Sequence, residues 1–528
     1  MGTDGACNVP VLSIGSRVQC DGHIATVKYI GQVTGTKGEW LGVEWDDPSR
    51  GKHDGSHNQS RYFITSHPTS GSFVRLGKIS TGISVSDAIH EKYSQPIDVA
   101  SQEAMFVRGV RGSTKAVEFV GADKIRKQQS KLNLLKTAVL DHMSVSYVSP
   151  DSLLEKHMPD ITELDLSANL FTSWEMVSMA TVQLKNLRIL NVSNNALNLP
   201  PDDMSLIRCF SQVTSLTMNR MRYTWEQVLY LMPMFPHLEQ LYISFNDITT
   251  LSDPGNSMAS LQSLVLEGNP LTGWSESVLP LGDLPCLTEL NLNSTGLTEI
   301  SFPGRDRKTT LFEHLKVLYL SNNEIGSWRD VSALDRLQSL QELTFHSNAL
   351  SRIVNQVALY DEIVCRVAGL QLLNRSREDR QGAEIVYVKK YGRDWLAAGG
   401  RRESKTNNPS AEFLLDHPRY EELIAKYGAP EDYELIKADS TLRKILLEVM
   451  IESPNVPEMK AIHKKLPGSM TVQKLRGLVQ RLYHANPASL NIAYVSTKVP
   501  GPNVDFDNDM RQMSFYGIES GDTILVKW

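Results

Sequence analysis

Between Leu135 and Leu350 the apolar positions follow neither a helical period nor a plain strand alternation. They recur in blocks of the form LxxLxLxxNxL: ITELDLSANLF, LRILNVSNNAL, LEQLYISFNDI, LQSLVLEGNPL, LTELNLNSTGL, LKVLYLSNNEI and LQELTFHSNAL. These start at Ile161, Leu187, Leu238, Leu261, Leu287, Leu315 and Leu340. A weaker block starts at Val213 (VTSLTMNRMRY) and a degenerate one at Leu135 (LKTAVLDHMSV), so nine units follow one another at spacings of 23 to 28 residues. Each block predicts one short strand with inward-pointing leucines, and no single unit can bury them. Stacked units can, which predicts an α/β solenoid with an open concave face. Asn169, Asn195, Asn246, Asn269, Asn323 and Asn348 fall where the strands turn, and an amide there can satisfy backbone groups freed by the bend.

On either side the pattern changes. Residues 11 to 76 are short alternating or β-branched runs (GSRVQC, HIATVKYIG, WLGVEWDD, SGSFVRL) broken by Gly, Asp and Pro, which predicts a small all-β barrel with tight turns. After the repeats, EIVCRVAGLQLLNRSREDRQGAEIVYVKKY (362–391) resembles the C-terminal cap that follows leucine-rich repeats in several intracellular proteins. AAGGRRESKTNNPS is polar and small, as in a linker, and PRYEELIAKYG predicts a short helix stopped by Gly428. From about Leu442 the runs RKILLEVMI, TVQKLRGLVQRLY, LNIAYV and MSFYGIESGDTILVKW predict strand, amphipathic helix, strand, turn and strand, an α+β roll. The expected fold class is therefore multidomain: a barrel at 1–80, a linker and solenoid flank at 81–134 and repeats at 135–361. A cap follows at 362–396, then a linker with a short helix at 397–440 and the roll at 441–528.

Length agrees, since 528 residues exceed what one hydrophobic core organises. No apolar run reaches the roughly 18 to 20 residues that span a bilayer, and the first residues lack the basic and apolar regions of a signal peptide. Five cysteines without a CxxC suggest reduced thiols and a cytosolic protein. A net charge of −6 gives no reason to expect nucleic acid or a membrane as partner. Residues 161 to 350 hold 20 Asp and Glu against 11 Lys and Arg, a local −9, so the array is the acidic part of the chain. The solvent-facing strand positions are Glu163, Asp165, Asn191, Tyr242, Glu267, Glu289, Asn291, Tyr319, Glu342 and His346. Such a face suits a protein partner with a basic surface, and it contains no nucleophile–base pair.

One stretch of the barrel, GKHDGSHNQSRYF (51–63), invites a chemical reading. A phosphate loop needs GxxxxGK[ST] opening a helix, and Lys52 follows Gly51 directly. Cys20, His23, His53 and His57 could be gathered into a zinc set, but the two loop histidines lie on a glycine-broken segment, which disfavours it. A calcium loop at DFDND (505–509) fails for want of the glycine and the closing glutamate. A peptide-binding loop remains. GxRV, ATVKYIG, EWLGVEWDDPSRGKHDGS, RYF and GSFV together resemble the CAP-Gly domain, a family that reads acidic C-terminal tails ending in an aromatic residue. The resemblance implies that Lys52 meets a carboxylate of the tail. The frame of Gly51, His53, Asp54 and Gly55 would let backbone N–H groups approach it. Trp40, Phe63 and Phe73 would line an apolar slot, with barrel core as the alternative for Trp40 and Phe73. The family has Asn where this chain has His53, which adds an imidazole and pH sensitivity near neutrality.

The last segment resembles ubiquitin-like domains, with Tyr516-Gly-Ile518 before the Gly521-Asp522 turn and no terminal Gly-Gly, as in an embedded docking module. CAP-Gly, leucine-rich repeats and a ubiquitin-like end, in that order, resemble the tubulin-folding cofactor E family. That resemblance implies a non-enzymatic chaperone of the cytoplasm and cytoskeleton, with no bound cofactor or metal. Its partners would be α-tubulin, the α/β-tubulin heterodimer, which it helps assemble and can dissociate, and the other tubulin-folding cofactors. The proteasome is a further partner that the ubiquitin-like end allows. The alternatives are a microtubule-end adaptor, disfavoured because no sustained heptads occur, and a ubiquitin-pathway adaptor.

Overall fold

A computed structural model describes residues 11–94, 106–108, 114–116, 131–149, 153–201, 204–304, 308–376, 380–402, 409–431, 446–456, 461–468, 470–483, 490–495, 503–506, 508–509, 511–516, 518 and 520–527. The expectation made for the first ten residues lies outside them, as do parts of the 81–134 and 397–410 segments. Compactness divides the chain into a large unit, residues 1–388 with 393–429, and a smaller one, residues 389–392 with 430–528.

The large unit begins with four antiparallel strands, Arg17–Cys20, His23–Gln32, Glu39–Trp45 and Gly71–Val74, adjacent in that order. Their alternation turns Val18, Cys20, Ala25, Val27, Leu41, Val43 and Trp45 into one apolar cluster. The Arg17 guanidinium binds the Asp46 carboxylate bidentately and so fastens the first strand to the end of the third.

The solenoid is a ten-stranded parallel sheet with one three-residue strand per repeat. Ala138, Leu164, Leu190, Leu216, Leu241, Leu264, Leu290, Leu318, Leu343 and Leu373 stand in register at its centre and are buried. The last strand, Leu372–Leu373, lies in the segment expected to be cap, so the sheet runs one strand further than the repeat pattern. The turn asparagines are buried and linked from repeat to repeat. Asn246 Nδ2 donates to the carbonyls of Met218 (2.9 Å) and Ile243 (3.0 Å), while its Oδ1 accepts from Met221 N (2.8 Å). Asn246 N donates in turn to Asn269 Oδ1 at 2.9 Å. Each amide thus satisfies the bend of its own unit and that of its predecessor.

Both ends of the sheet are lidded. Strand Ile83–Ser84 pairs in parallel with Val145–Tyr147, and the helix Val85–Tyr93, capped by Ser84, buries Val85, Ala88 and Ile89 in the solenoid core. Only Thr81 and Gly82 separate this lid from Ser80, which exchanges backbone hydrogen bonds of 2.9 and 2.8 Å with Gln19 of the barrel. Gly82 has φ +94°, and a Cβ there would stand 2.4 Å from Ser144 O, so the junction is packed.

At the other end the structure corrects the expected linker at 397–440. Helices Ala411–Asp416 and Tyr420–Tyr427 dock on helices Gln356–Arg366 and Arg380–Ala397. Glu384, fully buried, accepts from Arg419 (3.1 Å), Lys426 (2.8 Å) and the Tyr427 hydroxyl (2.8 Å). Tyr420 donates to Val388 O at 2.6 Å, and the buried Arg366 reaches Asp416 O. Residues 409–429 therefore belong to the solenoid's lid. Their composition looked like a linker because the packing partners lie more than 30 residues away in sequence.

The small unit is a five-stranded sheet in the order Ile462–Pro467, Leu446–Glu452, Thr523–Lys527, Asn491–Val495, Val504–Asp505, with the unit's own first and last strands parallel at its centre. The helix Val472–Tyr483 buries Val472, Leu475, Val479 and Tyr483 against it. The strand Ile462–Pro467 went unrecognised because its lysines and histidine mask the alternation.

Candidate functional site

On the barrel the hairpin loops enclose a groove of about 590 Å³, lined by Val33, Thr36, Trp40, Trp45, Arg50, Lys52, His53, His57, Phe73, Arg75 and Lys78 among others. Four cations line it, against one carboxylate, Asp21. Arg50 is held by Asp21 at 3.3 Å and lies 4.7 Å from the Trp45 ring centroid. Arg75 donates to Lys37 O (2.6 Å) and Glu39 O (2.9 Å) and stacks 3.7 Å from the centroid of Trp40. Trp40 Nε1 donates to Thr36 Oγ1 at 2.8 Å. Both neighbours therefore fix the Trp40 ring as a wall of the groove. Lys52 is exposed and has no carboxylate partner among the described residues.

The second wall is Phe73, half-buried, with the rings of His53 (5.0 Å) and His57 (6.2 Å) beside it. Tyr62 and Phe63 meet it edge-on at 5.5 Å each. Trp40 and Phe73 therefore line the groove. Phe63, expected beside them, is only 7% exposed: it packs behind Phe73 and over Gly42, where a Cβ would stand 2.4 Å from its ring.

The glycine frame also has a different cause from the one expected. A Cβ on Gly51 would stand 1.9 Å from Thr69 O, and one on Gly55, at φ +92°, 2.1 Å from Phe63 O. The N–H groups of Lys52 and His53 both donate to Gly71 O, at 2.8 and 3.2 Å, and Gly55 N donates to His53 Nδ1 at 3.0 Å. These amides are used inside the loop, so a ligand would meet side chains here rather than the expected backbone donors. Asp54 accepts from Ser56 N (3.1 Å) and pairs with Arg61 (2.6 Å), which shapes the loop without entering the groove. Burial lowers the pKa of the His53 imidazole; Asp54 opposes this and His57 adds to it. The ring's pH sensitivity is therefore shifted to the acid side of an ordinary imidazole.

Arg50, Arg75 and Lys78 carry no signal for the groove in the sequence, and His57, weighed there only as a zinc ligand, also lines it. Arg75 meets Trp40 from 35 positions away, and no local pattern announces that stack.

On the solenoid, Glu163, Asp165, Asn191, Tyr242, Glu289, Asn291, Tyr319 and Glu342 occupy the outer positions of the strands, and Glu267 and His346 follow two residues after them. Asp165, Asn191 and Asn291 are partly committed to structure, each accepting from the backbone N–H two residues on, at 2.8, 3.0 and 2.9 Å. Tyr242 and Tyr319 flank Glu289. Burial raises both phenol pKa values, and the Glu289 carboxylate adds to it, joined at Tyr319 by Glu342.

A small barrel with a basic aromatic groove, joined to a capped repeat solenoid, defines a modular protein-binding protein, and the chain also carries a ubiquitin-like roll. The family model of the CAP-Gly domain matches residues 14–79. Tubulin-specific chaperone E of Danio rerio is 41% identical over 98% of this chain and 99% of its own length; that of Mus musculus is 39% identical over 98% and 99%. The solved C-terminal ubiquitin-like domain of the mouse tubulin-specific chaperone E is 40% identical, covering 17% of this chain and 94% of the domain, with a TM-score of 0.16. The chain belongs to the tubulin-specific chaperone E family.

Proposed function

We propose that the chain captures tubulin at two places: the barrel groove takes the acidic C-terminal tail of α-tubulin, and the concave face of the solenoid holds the folded body. Family membership makes it a tubulin-folding cofactor, and in this reading it acts with the other cofactors of that pathway in the cytoplasm. Assembly of the α/β heterodimer and its dissociation, and so regulation of microtubules, belong to this reading. The observation that carries it is the Lys52 ammonium, without a carboxylate partner among the described residues, at a groove walled by Trp40 and Phe73. A peptide ending in carboxylates and an aromatic ring complements both features. Joining a tail site to a body site raises the effective concentration of the second contact, so two modest affinities give firm but reversible capture. The ubiquitin-like roll serves as a docking module for another cofactor or the proteasome. No covalent step is required.

The test is titration of the full chain with α-tubulin tail peptides. Wild type should bind the complete tail and lose most of that affinity when the terminal tyrosine is removed. Equal binding of both peptides would refute the assignment of the groove.

A further inference from the structure

The turn after each solenoid strand passes through the same left-handed backbone position. His142, Ala168, Asn194, Arg220, Gly268, Ser294, Asn322 and Ser347 occupy it, with φ between +52° and +72°. Small and amide residues accept this conformation, whereas a bulky side chain is strained in it. Phe245, at φ +58°, is the large apolar side chain among the described residues at this position, and it is 41% exposed. Its ring is nevertheless held in place. The Arg220 guanidinium of the preceding repeat lies 4.4 Å from its centroid. On the other side it covers Gly268 of the following repeat, where a Cβ would stand 2.3 Å from the ring. Arg220 comes from VTSLTMNRMRY, the weak repeat, which also exposes Arg222. Neither arginine has a carboxylate in ion-pair reach among the described residues, whereas Arg329 and Arg352 of the same array are paired with Asp416 and Glu324.

We propose that Phe245, stacked on Arg220, is a docking anchor on the solenoid for an acidic segment of the α/β-tubulin heterodimer that carries an apolar side chain beside its carboxylates. An exposed ring fixed between a guanidinium and a glycine is pre-organised contact area, of the kind that dominates protein interfaces. The two guanidiniums, without a carboxylate in ion-pair reach among the described residues, select carboxylates, and their own block VTSLTMNRMRY carries no Asp or Glu. This proposal rests on the tubulin-capture reading above and gives the solenoid a defined contact within it.

Strain supplies the means of testing it. Phe245→Asn restores the residue type the turn prefers, so a purely structural role and a docking role predict different outcomes. The full-length variant should melt at or above the wild-type temperature while binding purified α/β-tubulin heterodimer about tenfold more weakly. A Phe245→Leu variant keeps an apolar side chain and should fall between the two. Arg220→Gln with Arg222→Gln should flatten the loss of affinity as salt rises from about 50 to about 300 mM. If Phe245→Asn binds the heterodimer as wild type does, the anchor is overturned while the groove assignment stands. If wild type itself fails to bind the heterodimer, both readings fall. A wild-type self-association in sedimentation that Phe245→Asn abolishes, with tubulin binding unchanged, would overturn the proposal and give the patch to a second copy.

Discussion

The barrel and the solenoid both offer charged and aromatic side chains on a β-scaffold, yet they build these surfaces in different ways. The barrel gathers Trp40 from its third strand, Lys52 from the loop that follows, and Phe73 and Arg75 from the fourth strand and its end. The solenoid repeats one strand geometry ten times, so its face is an accumulation of positions in register. A groove of the first kind is sensitive to single changes. A face of the second kind spreads its energy, and only a ring or charge that breaks the repeat, such as Phe245, concentrates it.

The sharpest way to break the comparison is Gly51→Ala. The new methyl meets Thr69 O at a distance no real contact allows, so the loop must move. A loss of about 3 kcal/mol in barrel stability is expected by thermal unfolding, with tail binding lost alongside it. Asn246→Ala is the solenoid counterpart. It removes five buried side-chain hydrogen bonds from the amide ladder, three of them of 3.0 Å or less, and should cost about 2 kcal/mol. Hydrogen exchange should show the loss confined to the neighbouring repeats, since each repeat contacts only its neighbours. Lys52→Ala should lower affinity for the tail peptide about tenfold with no change in melting temperature, because the ammonium has no carboxylate partner among the described residues.

Two pH effects separate the regions further. Burial opposes ionisation of Glu384, but Lys426, Tyr427 and Arg419 outweigh it and hold its pKa at about 2, against 4.5 for a free glutamate. Its contribution is therefore complete above about pH 4.5 and is lost as pH falls from there towards 2, so acid should loosen the solenoid's C-terminal lid. Tyr427 fluorescence or exchange of the 411–427 backbone reads this out. His53 gives the smallest effect. Its pKa lies below 6.5 in the fold, so the barrel should lose a little stability as pH drops below 6.5 and none between 7 and 8. Replacing His53 with Asn should abolish that slope.

Much of the fold was legible along the chain because its signals are local. A strand of three residues with a central leucine and a turn asparagine is written within eleven positions, and it recurs. The strand Leu372–Leu373 and the helices Ala411–Asp416 and Tyr420–Tyr427 were not attributed to the solenoid, because what holds them is long-range. The groove was half legible. GKHDG and the aromatics mark it, but the sequence does not say that Phe63 is covered, that Arg75 stacks on Trp40, or that the loop's amides are already used.

The sequence by itself determined the order of the modules, the period of the solenoid, its acidity and the identity of the loop that bears Lys52. Those properties follow from composition and spacing, which folding does not alter. Tertiary structure alone decided which aromatics face solvent and where the repeat array ends. It also decided which charges remain free and that Phe245 is held against its own backbone preference. Each of these depends on atoms brought together from distant positions, and burial and pairing exist only after the chain has closed on itself.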